Sequence, residues 1–165
     1  MTRRTVFLAA LVLALAGVAV WRLRVRPPTD EDQIRALFDD AARAAEEKRV
    51  DDAVRGISER FEGEGLDRRR LRRLVLFEVL RGEWVSVSVA GAHIRVEGDQ
   101  ALANVDLVLA RATGQGKKLA AILPGEATAR RLKCRLEREA AGWRVVEASG
   151  QEVTIPDVIA GPPEP

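Results

Sequence analysis

The stretch 5–21 reads TVFLAALVLALAGVAVW without a charge, and the chain beyond it falls into two regimes of apolar spacing. Between positions 30 and 82 apolar residues recur every three or four positions, which predicts helices. Thr29 and Asp32 form a capping pattern ahead of Ile34, Leu37, Phe38, Ala41 and Ala45, so the first helix should run to about Lys48. Asp51 opens a second, short helix with Ala53, Val54 and Ile57 inward, and Gly63-Glu64-Gly65 interrupts the chain. Asp67 then caps a third helix that Gly82 ends. Its Leu71, Leu74, Val75, Phe77, Val79 and Leu80 are apolar almost all round, which predicts a largely buried second half.

From Glu83 the period becomes two. Val85 to Val89, Ile94 to Val96, Ala101 to Ala112, Ala127 to Glu139 and Trp143 to Ala148 read as antiparallel strands, with turns at Gly98-Asp99 and Ala141-Gly142. Helices first and strands afterwards predict an α+β domain, its N-terminal helices packed on one face of an antiparallel sheet. The loop Gly114-Gln115-Gly116-Lys117-Lys118 superficially looks like a phosphate loop but has Arg111 where the first Gly belongs and Lys118 where Ser or Thr should stand. The resulting organisation is a basic tail at 1–4, an apolar segment at 5–21, an Arg/Pro linker at 22–29, a domain at 30–153 and a Pro-rich tail at 154–165, expected to be mobile.

Flanked by Arg3 and Arg4 before it and Arg22, Arg24 and Arg26 after it, segment 5–21 reads as one transmembrane signal anchor. As a helix it would rise about 25 Å, and Trp21 and the flanking arginines can snorkel to make up the hydrocarbon thickness. Ala14-Leu15-Ala16 offers a cleavage alternative, but apolar residues continue past it, which favours retention. The expectation is a single-pass membrane protein with an exported, periplasmic or extracytoplasmic domain, although the flanking charges nearly balance.

Charge changes the picture further. The pI of about 9.1 reflects five arginines around the apolar segment, whereas the rest of the chain holds 22 basic against 25 acidic side chains. That balance argues against nucleic acid as a partner. Cys134 is the single cysteine and sits in an alternating run with Leu132 and Leu136, so it reads as a buried thiol. With one Cys and one His, neither a disulfide within the chain nor a Cys- or His-based metal site is available, and no cofactor is implied.

Candidate chemistry is sparse. His93 and Arg95 fall on one strand, Asn104 and Asp106 on the next. A carboxyl buried in an apolar pocket is raised toward neutrality and suits proton abstraction. In Ala103-Asn104-Val105-Asp106-Leu107, however, the apolar set is odd-numbered, so Asn104 and Asp106 should lie on the opposite face and Asp106 should pair with a neighbour across the strand. Arg68, Arg69, Arg70, Arg72 and Arg73 form the most unusual surface feature, a local field suited to phosphate groups or an acidic partner. A plain solvated face is the simpler reading, lipid headgroups the next.

The order of elements, two helices, the irregular Ile57-Ser58-Glu59-Arg60-Phe61, a third helix and hairpins closing on Gly142-Trp143-Arg144-Val145, resembles the nuclear transport factor 2-like superfamily, also called cystatin-like or SnoaL-like. The resemblance implies a cone in which a curved sheet wraps the first helix and leaves a pocket at its open end. It also implies two functional possibilities. One is a non-enzymatic binding or scaffold domain, tethered in the envelope as in the bitopic assembly proteins of type IV secretion systems, with a protein partner, a small apolar ligand or a homodimer. The alternative is an isomerase or dehydratase using His93 or Asp106, with Asn104 and Arg95 as ligand contacts.

Overall fold

A computed structural model of the chain describes residues 27–80, 84–111 and 127–165. The expected anchor at 5–21, Gly82 and the loop at 114–125 lie outside the described residues. Helix α1, Asp30–Glu46, starts where Thr29 and Asp32 cap each other: the Asp32 amide donates to the Thr29 hydroxyl at 3.2 Å and the Thr29 amide to the Asp32 carboxylate at 2.9 Å. Asp30, Glu31 and Asp32 place negative charge on its first turn, where the helix dipole favours it. Ile34, Phe38, Ala42 and Ala44 form its buried stripe. Helix α2, Val50–Ala53, is one turn. The irregular stretch after it is fixed to the sheet by backbone bonds from Ser58 N to Val145 O and from Val145 N to Gly56 O.

A two-residue hairpin follows, β1 at Glu62–Gly63 and β2 at Leu66–Asp67, before helix α3 at Arg68–Leu80. The hairpin lies against the closing strand of the sheet, and a Cβ on Gly63 would stand 2.4 Å from the Ala148 carbonyl oxygen. Only a glycine permits that approach. Asp67 caps α3 by accepting from the Arg70 amide at 2.7 Å. The second half of α3 was expected to be buried, but two of the residues named for it are exposed, Leu74 at 50% and Phe77 at 54%. An apolar surface on several sides therefore does not by itself bury Leu74 and Phe77, whereas Leu71 packs against the core.

The sheet is an antiparallel meander of β3 (Trp84–Glu97), β4 (Gln100–Arg111), β5 (Ala127–Glu139) and β6 (Gly142–Val153), in that spatial order. The two strands expected before Gly98 are one. Val89 pairs with Leu107 and Gly91 with Asp106, so Ala90 is a bulge that keeps both halves on the β4 ladder. The inner face carries Ala92, Ala101, Ala103, Val105, Cys134, Leu136 and Val145, which meet Ile34 and Phe38 of α1 together with Phe61 and Trp143. At one end of the sheet the Trp143 indole donates to Asp30 at 3.2 Å, and Arg138 bonds Asp30 at 2.6 Å while stacking 4.6 Å from the Trp143 ring centroid. These contacts pin the start of α1 to the β5–β6 hairpin, and the Arg138 and Trp143 bonds hold the Asp30 carboxyl below the ordinary aspartate range.

Residues 154–165, expected as a mobile tail, are folded. Thr154 and Asp157 repeat the reciprocal cap of α1 and start helix α4, Ile155–Ile159, after which the chain crosses the outer face of the sheet. Proline in the first turn supports that helix, because the missing N–H has no intrahelical partner to lose there.

Leu136 is fully buried at the centre of the core. Leu136→Ala should lower unfolding free energy by about 2–5 kcal/mol, read as a lower urea midpoint with an unchanged slope.

Candidate functional site

The outer face of the sheet is set by the same alternation that builds the core. Gly91, His93 and Arg95 of β3 stand opposite Asp106, Asn104 and Leu102 of β4, and Asn104 and Asp106 stand opposite Lys133 and Arg131 of β5. All four sequence candidates therefore share one face, away from α1. Their environments differ. His93 and Arg95 are exposed, whereas Asn104 is 5% and Asp106 0% accessible.

Both buried side chains have partners in the protein. Arg131 grips Asp106 with two parallel bonds, Nε to Oδ1 at 2.7 Å and Nη2 to Oδ2 at 2.8 Å, the geometry in which Arg binds a carboxylate most strongly. The same Nη2 donates to the carbonyls of Asp157 at 3.1 Å and Gly161 at 3.2 Å. Asn104 donates to the Pro163 carbonyl at 2.8 Å, and Arg95 lies 3.6 Å from Glu164. Gly91 lets the strap in: a Cβ there would stand 3.0 Å from the Pro162 ring. Asp106 and Arg131 thus form a buried pair that doubles as the receptor for the C-terminal strap. Arg131 was invisible as a partner without the register of β5 on β4, but Thr154-x-x-Asp157 repeats a signature recognised at Thr29.

Beside the strap, Leu102, Asn104, Lys133, Arg135, Ser149 and Pro163 line a groove of about 380 Å³. A second groove, about 570 Å³, runs between α1, α2 and the β5–β6 turn, with Leu37 and Gly56 in its lining and Arg43, Arg49, Asp52 and Arg144 around them. Neither contains His93 or Asp106. Among the described residues no group of His, Cys, Asp and Glu could hold a metal ion. Cys134 is buried on the inner face, and desolvation pushes its thiol up to about 12.

The arginine cluster divides into two sets. Arg68 pairs with Glu59, and Arg72 bonds Asp51 at 2.9 and 2.6 Å, so these two face the body of the domain. Among the described residues the Arg70 guanidinium reaches the Gly65 carbonyl, at 3.4 Å, and no carboxylate. Arg69 and Arg73 meet no carboxylate among the described residues, and Arg69, Arg70 and Arg73 are exposed. At 100° per residue they share the outer side of α3 with Leu74 and Phe77.

No family model and no curated protein matches the sequence. Solved structures do. An NTF2-like protein with a cystatin-like fold from Novosphingobium aromaticivorans is similar at TM-score 0.59 and 20% identity, over 82% of this chain and 88% of that one. An NTF2-like protein of unknown function from Pseudomonas putida gives 0.58 and 13%, over 73% and 84%. A cystatin-like protein of unknown function from Nostoc punctiforme gives 0.58 and 12%, over 76% and 93%. The chain has an NTF2-like fold. At these identities the likeness concerns fold, and the site must be read from its own residues.

Asp106→Ala should cost about 3–5 kcal/mol by taking the carboxylate from a mostly buried Arg131, measured by urea unfolding. The double change Asp106→Leu with Arg131→Met should recover much of that loss, yet the amides of 157–163 should still exchange faster, because the strap has lost its receptor. Acid should loosen the strap as well. The Thr154 hydroxyl and amide lower the Asp157 carboxyl below its ordinary 3.8. The cap is therefore complete above that value and lost as pH falls below it, which hydrogen exchange in α4 across an acid titration will show.

Proposed function

We propose that this NTF2-like domain is a membrane-tethered binding or scaffold module of the cell envelope, held by 5–21 and not an enzyme. The observation that carries the reading is the state of the acid–base candidates. Asp106 is bonded on both oxygens to Arg131 beneath the strap, and His93 sits exposed on the outer face, outside both grooves. General acid–base catalysis needs a titratable group within reach of a bound substrate, and neither residue lines either groove. The uncharged run with its flanking arginines supports the tether, although no helix among the described residues is long and apolar enough to cross a membrane. The partner is a protein or a second copy of the chain; nucleic acid is disfavoured by the acidic balance of the domain.

Fractionation tests the tether. Full-length chain should stay in the membrane pellet through an alkaline wash, and a chain beginning at residue 27 should not; release of the full chain by that wash would overturn the tether. For the non-enzymatic half, titration with small apolar carbonyl compounds should leave the NMR signals of His93, Asn104 and Asp106 in place. Saturable shifts centred on those three would restore the isomerase or dehydratase reading.

A further inference from the structure

The outward side of α3 combines two things that a solvated helix has no reason to combine. Arg69, Arg70 and Arg73 are exposed there, with neither Arg69 nor Arg73 neutralised by a carboxylate among the described residues, while Arg68 and Arg72 are consumed by Glu59 and Asp51. Between and beyond them Leu74 and Phe77 expose half their surface. Spacings of three and four residues, Arg70 to Leu74, Arg73 to Phe77 and Arg70 to Arg73, put guanidinium groups and apolar side chains on the same strip. An aqueous surface rewards the first and penalises the second. A bilayer interface rewards both, since headgroup phosphates accept from Arg while Leu and Phe enter the acyl boundary.

We infer that α3 is a second attachment, a helix that lays its outer face on a leaflet rich in anionic phospholipid. Charge complementarity and reach select that occupant. The linker at 22–29 spans at most roughly 27 Å when fully extended, so the domain is confined to the layer of water next to the bilayer if 5–21 is its anchor. The inference rests on that reading. Once the tether holds the domain there, docking α3 becomes an intramolecular step and needs little affinity of its own. The rest of the domain, with more acidic than basic groups, is repelled by the same leaflet. Attachment through α3 would therefore orient the domain as well as hold it, presenting one side to a partner.

The test uses the full chain in lipid nanodiscs, with hydrogen exchange followed over residues 69–77. Discs of phosphatidylcholine alone should leave those amides exchanging as in solution, and adding phosphatidylglycerol should slow them roughly tenfold. Added salt should reverse much of the protection. Replacing Arg69, Arg70 and Arg73 together by Ala should abolish it, without changing exchange in β4 and β5, which reports that the domain is still folded. Equal exchange in the two kinds of disc, with the chain embedded, overturns the proposal. So does protection that appears with soluble polyglutamate and not with anionic lipid, which would assign the surface to an acidic protein. A chain that stays outside the discs overturns the tether instead. In that event the same comparison, made on free chain with anionic and zwitterionic vesicles, decides for or against α3 by the same criterion.

Discussion

Strand β4 is buried from both sides, and the rest of the domain is arranged around that constraint. Its odd positions Ala101, Ala103 and Val105 lie in the core shared with Ile34 and Phe38 of α1, and its even positions Asn104 and Asp106 lie beneath the C-terminal strap. An antiparallel strand with one wet face would be stable with any polar residues there. Covering that face removes water from two polar side chains, and each must then find a protein partner. Arg131 and the Pro163 carbonyl supply them, so the pleat of one strand dictates a salt bridge, a hydrogen bond and the course of the last twelve residues.

The strap changes what the outer face can do. On a bare sheet the row of His93, Arg95, Asn104 and Asp106 would be a polar surface open to a ligand or a second subunit. Here the middle of that row is occupied by the chain itself. Buried ion pairs seldom add much net stability, because desolvation offsets most of their attraction. The Asp106–Arg131 pair is better understood as a device of specificity: it leaves Arg131 with a donor aimed outward at two backbone carbonyls, which fixes where the strap lies. Helix α3 is organised differently. Its Arg68 and Arg72 meet the surface carboxylates Glu59 and Asp51, and three arginines turn outward beside apolar side chains, a division that gives the surface a direction.

Much of this was legible in the sequence because periodicity is a local property. The cap at Thr29, the inward Ile34 and Phe38 of α1, the inward Cys134, the turns at Gly98 and Gly142 and the opposite-face placement of Asn104 and Asp106 all follow from spacing along a single segment, whereas the C-terminal part of the α1 stripe was expected at Ala41 and Ala45 and is buried at Ala42 and Ala44. The α+β class and the similarity to NTF2-like proteins followed from the order of those segments. Two misjudgements had a common origin. Leu74 and Phe77 were expected inside because an apolar helix half usually is buried, and residues 154–165 were expected to move because proline-rich ends usually do. Both expectations assigned burial from composition, whereas burial depends on what another part of the chain brings alongside.

The sequence by itself determined which residues face together: alternation and helical pitch are fixed by backbone geometry, and no tertiary contact can move Asp106 to the side of Val105 without a register slip or a bulge. Tertiary structure alone decided what each face meets. That Asp106 is opposite Arg131 requires the β4–β5 register, that Asp106 is dry requires the strap to return across the sheet, and that Arg68 and Arg72 meet carboxylates while Arg69 and Arg73 meet none among the described residues requires Glu59 and Asp51 to lie on one side of α3. These pairings join residues that are distant along the chain, so their strength depends on a fold that local spacing can suggest but does not contain.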